Sequence, residues 1–123
     1  SPKGRLAEII VLDQFSRNLY RDTPRSFISD PLALALAQEA ISVGADNALS
    51  AVERNFLYMP FMHSESIAIH EVAVKLYLDN GVETSIDFEN KHKRIIEFYN
   101  ELDLYIERKK ARSLMMLLKI IIL

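Results

Sequence analysis

A chain of 123 residues, half of them hydrophobic and 26% charged, has the size of one domain and the composition to bury one core. A formal net charge of −2 excludes a global basic field for nucleic acid, and the absence of cysteine excludes disulfides, thiolate nucleophiles and cysteine metal sites. Three glycines and four prolines are too few for the turns of a sandwich or barrel, so the expectation is an all-α fold of long helices in a reducing, cytoplasmic setting.

Ser1-Pro2 reads as an N-cap and first turn, and Leu6, Ile9, Ile10, Leu12, Phe15 and Leu19 carry helical spacing to about Tyr20. Thr23-Pro24 ends that helix. Asp30-Pro31 reads as the cap and first position of a second helix, which runs to Val43 and stops at Gly44. Its stripe of Ala33, Ala37 and Ala40 admits a close neighbour, with Leu32, Leu36 and Val43 on the flanking face.

Ser50 and Glu53 have capping-box spacing, which predicts a short helix from Ala51 that stops before Pro60. Ser64 then caps a fourth helix, Glu65 to about Asn80, closed by Gly81, and Thr84 caps a fifth. In the fifth, Phe88, His92, Ile95, Tyr99, Leu102 and Ile106 alternate steps of four and three, a seam for one partner helix. This divides the chain into a helical domain, 1–100, and a divergent helical extension, 101–123. The extension joins the basic run Arg108, Lys109, Lys110 and Arg112 to an apolar run, Leu114 to Leu123, which is too short to span a membrane.

Few residues announce chemistry. On an ideal wheel Asp13 and Arg17 continue the stripe of Leu6 and Ile10, so they should pair with each other and be partly buried. The structural reading is an ion pair between helices; the functional reading is a ligand site extended by Asn18 and Arg21, with Arg17, Arg21 and Arg25 spaced to clamp an anion. Glu65 either serves the helix start or faces inward with Ile69, Val72 and Leu76. His63, His70 and His92 are the only histidines, and no His-Glu-x-x-His spacing exists, so neither a metal nor another cofactor is expected. His92, inside an apolar seam, reads as a core histidine satisfied by a hydrogen bond, with a catalytic base as the alternative.

Taken in order, several segments carry a family resemblance. They are Leu12-Asp13-Gln14-Phe15 with Arg17-Asn18 and Arg21, then Asp30-Pro31-Leu32-Ala33-Leu34, Glu53-Arg54, Phe56-Leu57-Tyr58-Met59-Pro60-Phe61, His63-Ser64-Glu65, and His92 with Ile95-Ile96. From about Pro2 to Glu97 the chain resembles a bacterial family known as domain of unknown function 924. The resemblance implies a tetratricopeptide-like antiparallel array of five to six helices. Ser16, Met62 and His70 stand where the family usually has proline, glutamate and glutamine. The family also carries further helices before the equivalent of Ser1 and a different sequence after Glu97, so the chain reads as a truncated member with a divergent or frame-shifted end.

Three functional readings follow. The first is a non-catalytic scaffold that binds a peptide or protein partner between helices. The second is an enzyme or small-anion binder built from Asp13, Arg17, Asn18, Arg21, His63, Glu65 and His92. The third is a truncated product without independent function, prone to self-association. The first two separate on whether Arg17, His63 and His92 meet in one concave pocket.

Overall fold

The computed structural model describes the backbone of residues 1–122 and the side chains of residues 1–112 and 121. Apart from Ile121, the apolar run from Leu114 therefore lies outside the described side chains. Among the described residues every regular element is helical, and none is long and apolar enough to cross a membrane.

Helix α1 spans Pro2–Ile10, with the Ser1 hydroxyl accepting the Gly4 amide at 3.0 Å. A π-helical turn, Val11–Phe15, joins it without a break to α2, Ser16–Leu19. The extra residue per turn rotates everything after it, which corrects the ideal wheel: Asp13 points fully inward, while Phe15 and Leu19 are exposed. After a short 3₁₀ turn, Pro24–Phe27, helix α3 covers Asp30–Ser42. Its N-cap position belongs to Ser29, not Asp30, which sits in the first turn. Gly44 takes the left-handed φ of 70° that stops it.

Ala33, Ala37 and Ala40 are completely buried, so α3 lies close against α1 and α4, as the alanine stripe requires. Leu36 packs against the core as expected beside that stripe, whereas Leu32 and Val43 are exposed and Leu34 and Ile41 take their place.

Helix α4, Ala51–Met62, opens on the predicted capping box, both halves of which form between Ser50 and Glu53. It does not stop before Pro60. The ring removes one helical hydrogen bond, but Phe61 and Met62 beyond it are buried, and that apolar burial offsets the cost. Helix α5, Ile67–Asn80, starts two residues later than the sequence suggests. The reason is local: the Ser64 carbonyl accepts from the side chain of His70, and the Ser64 hydroxyl accepts the Ser66 amide, so neither supports a helical turn at Glu65.

Helix α6 runs from Glu83 to Ile122 without interruption at residue 100, a rod of about 60 Å. Thr84 is not its cap, because the Val82 carbonyl already accepts the Ser85 and Ile86 amides. The face that packs on α5 is also not the predicted seam. Phe88, Ile95, Tyr99, Leu102 and Ile106 are exposed, and the buried stripe contains Ile86, Glu89, Lys93 and Ile96. Two polar residues made that stripe look solvent-facing. Glu89 is tied to His70 through one carboxylate oxygen, and Lys93 to Glu71 at 2.7 Å, so both find partners on α5. Helix α4 is shared by two triples, α1–α3–α4 and α4–α5–α6, which meet where α4 ends.

Candidate functional site

An open pocket of about 560 Å3 lies at that junction, within the range of small-molecule sites. Arg17 of α2, Phe27, and Asp30, Pro31 and Leu34 at the start of α3 form one wall. Pro60 and Met62 at the end of α4, and His63, Ser64 and Glu65 in the turn that follows, form the second. His92, Ile95 and Ile96 of α6 form the third.

Asp13 holds the site from behind. It is 1% exposed, and its Oδ1 lies 2.7 Å from His63 Nδ1. A carboxylate on Nδ1 fixes the tautomer, so in neutral His63 the lone pair is on Nε2, the ring nitrogen left for the pocket. Gln14 donates to the other oxygen of Asp13. His92 is held in the same sense: its Nδ1 donates to the Phe88 carbonyl at 2.7 Å, which again leaves Nε2 available. The two imidazoles face each other with centroids 6.2 Å apart. His92 is thus hydrogen-bonded as expected, but at a pocket wall and only half-buried.

Arg17 is spent differently from the expectation. Its Nη2 donates to Asp30 Oδ2 at 2.8 Å, whereas its Nε stands 3.9 Å from Asp13, beyond hydrogen-bond range. The Asp13–Arg17 ion pair read from the wheel is therefore present as a 3.9 Å contact without a hydrogen bond, and each partner makes a closer pair, Asp13–His63 and Arg17–Asp30. The guanidinium also lies over the Phe27 ring, 5.2 Å from its centroid. Burial raises the carboxyl of Asp30 above its ordinary value, with Arg17 pulling the other way. Glu65 is exposed at the rim and makes no hydrogen bond or ion pair among the described residues.

Asn18 and Arg21 do not join this cluster. They are exposed and bond only each other, at 3.4 Å. Arg25 stacks over Tyr20, 4.4 Å from its centroid, so the three arginines of the proposed clamp diverge.

The sequence reading also missed a second histidine pair directly behind the turn. His70 and Glu89 are both buried, with Nδ1 and Oε1 2.6 Å apart, and His70 Nε2 donates to the Ser64 carbonyl at 2.6 Å. Burial alone would lower the His70 pKa, but the hydrogen bond and charge of Glu89 and the Ser64 carbonyl outweigh it and leave the pKa raised. This pair fixes the peptide that follows His63. A signal was present in the sequence: Glu89 and Lys93 fall on the stripe of Ile86 and Ile96, and carboxylates on such stripes are buried only with a partner.

Chemically, the pocket offers two oriented imidazoles, a free carboxylate and apolar walls. Ser64 is no partner for His63: no hydrogen bond joins them among the described residues, and the Ser64 hydroxyl accepts the Ser66 amide. Among the described residues no group of three or more His, Asp or Glu is arranged to hold a metal ion.

Four helices and the turn after α4 line the pocket, which defines an all-α domain whose candidate site is assembled from distant segments. The chain belongs to the family described as bacterial protein of unknown function, DUF924, whose model matches residues 1–101. A solved protein of unknown function from Agrobacterium tumefaciens has the same fold, with a TM-score of 0.77 and 37% sequence identity over 81% of this chain. The match covers 56% of that protein, so this chain spans little more than half its length. Nothing among the curated proteins matches.

Proposed function

We propose that the protein is a binding module for a small ligand, or for a single side chain of a larger one, with a polar head and an apolar body. The observation that carries this is the convergence of Arg17, His63 and His92, from segments far apart in sequence, on one pocket with Leu34, Ile95 and Ile96. Two imidazoles with one nitrogen anchored and the other free are oriented contacts, whereas structural histidines in a core have both satisfied. The reading is of recognition and not of a reaction, because no nucleophile is hydrogen-bonded to His63.

Titration with hexanol, hexylamine and hexanoate, followed through the imidazole NMR signals, tests this. At least one probe should shift His63 and His92 together. Ile95→Trp, at a half-exposed position on the pocket wall, should abolish the shifts. Failure of all three probes to shift both rings would reject the pocket as a ligand site.

A second reading, docking of a partner helix, is supported by the exposed heptad-spaced seam of Phe88, Ile95, Tyr99, Leu102 and Ile106. Sedimentation over a wide concentration range tests its simplest form, self-association, which Leu102→Glu should weaken. A monomer at every concentration would reject that form.

A further inference from the structure

We infer that the polar head this pocket takes is a primary ammonium group carried on an unbranched apolar stem; the inference rests on the ligand-binding reading above. The charges that line the pocket are Asp30 and Glu65 against Arg17, with Asp13 directly behind. Arg17 is the only guanidinium or ammonium on the described walls, and it is already committed. Its Nη2 is bonded to Asp30, and Asp13 flanks its Nε. An incoming anion would therefore meet two carboxylates and no uncommitted cation. The N-termini of α3 and α5 also come near the pocket, and a helix start favours negative charge. That of α3 is already answered by Asp30 in its first turn, and α5, which begins at Ile67, contributes no residue to the pocket lining.

Apart from Arg17 Nε, a buried donor that faces Asp13 at 3.9 Å, the free atoms are acceptors, the buried Asp30 Oδ1 among them. Glu65 has no partner, and the anchoring of Nδ1 in His63 and His92 leaves an Nε2 lone pair on each neutral ring. An ammonium has three donors and no acceptor, matching these three groups in number. The ring centroids lie 6.2 Å apart, so His63 and His92 flank the same part of the pocket. Leu34, Ile95 and Ile96 then face the methylene stem. A free alkylamine and a lysine side chain present the same chemistry.

The test compares hexylamine, hexanoate and Nα-acetyl-lysine methylamide by the imidazole NMR titration, in the unaltered protein, Glu65→Gln and Ile95→Trp. Hexylamine is expected to bind at least about tenfold more tightly than hexanoate, a difference of about 1.4 kcal/mol. Glu65→Gln should weaken it by about fivefold or more while leaving hexanoate unweakened, and Ile95→Trp should abolish it. Binding of the lysine derivative as tightly as hexylamine identifies a lysine side chain as the source; binding of hexylamine alone identifies a free amine. Hexanoate binding as well as hexylamine, or an unchanged hexylamine affinity in Glu65→Gln, overturns the ammonium while leaving the pocket reading intact. Silence from every probe, hexanol included, overturns both.

Discussion

Two histidine–carboxylate pairs stand on opposite sides of the same short turn, and they are nearly identical in length. Asp13 and His63 are 2.7 Å apart, Glu89 and His70 2.6 Å. They differ in what happens to the second nitrogen. In His70 it is fastened to the Ser64 carbonyl and the ring is sealed in the core; in His63 it is left at a pocket. A pair of this kind is structural when both ring nitrogens are consumed inside the protein, and available for recognition when one is not. The strength of the pair does not decide the matter, but the fate of the remaining nitrogen does.

The sharpest way to break this contrast is to delete each histidine. His70→Ala leaves the Glu89 carboxylate buried without a partner and should cost about 3 to 5 kcal/mol in urea unfolding, and His70→Leu with Glu89→Leu should recover much of it. A loss below about 1 kcal/mol would show that the core pair is not held as described.

The pH dependence is expected to be smaller. Because the His70 pKa is raised on folding, its contribution is fully present below the unfolded value, about 6.5, and is lost as pH rises through the folded value. Above that, one nitrogen loses its proton and one of its two bonds, at about 1 to 3 kcal/mol. Stability should fall as pH rises through this range and His70→Gln should flatten the fall; an equal fall in that variant would assign it to another group.

His63→Ala should cost only about 1 to 2 kcal/mol, since Asp13 keeps Gln14 and lies near Arg17. Ligand response should nevertheless vanish. The smallest effect belongs to His92→Gln, within about 0.5 kcal/mol by thermal unfolding, because its ring is bonded only to its own helix. A loss as large as that of His70→Ala would place His92 in the core and undo its role in the pocket.

Much of the fold could be read along the chain because its signals are local. Ser1, the Ser50–Glu53 box, Gly44, Gly81 and the alanine stripe each act within one or two turns, and all behave as their chemistry dictates. The errors arose where tertiary contacts overrode local preference. Pro60 remains in a helix because the residues beyond it are buried, and α5 starts late because a side chain nineteen residues from Glu89 takes the Ser64 carbonyl. The seam on α6 was mistaken because periodicity counts apolar residues and cannot see that Glu89 and Lys93 bring their partners with them.

The candidate site was half legible. Arg17, His63, Glu65 and His92 do meet, but the partner of Asp13 is fifty residues away, and no wheel drawn on one helix contains it. A double substitution, Asp13→Leu with Arg17→Met, would consequently not be a compensating pair. It would strand Asp30 and loosen His63 together.

The π-helical turn from Val11 to Phe15 is, in genetic terms, a one-codon insertion into an α-helix. Removing a single codon there would restore regular winding and leave the flanking helices in register, so the residues displaced would be those of the turn itself. Asp13, in the middle of that turn, would lose the position from which it reaches His63. Reading frame and helix would both survive, and the site alone would come apart. Length variation at this one point is therefore the economical mark by which relatives that keep the fold could be sorted into those that keep the pocket and those that have given it up.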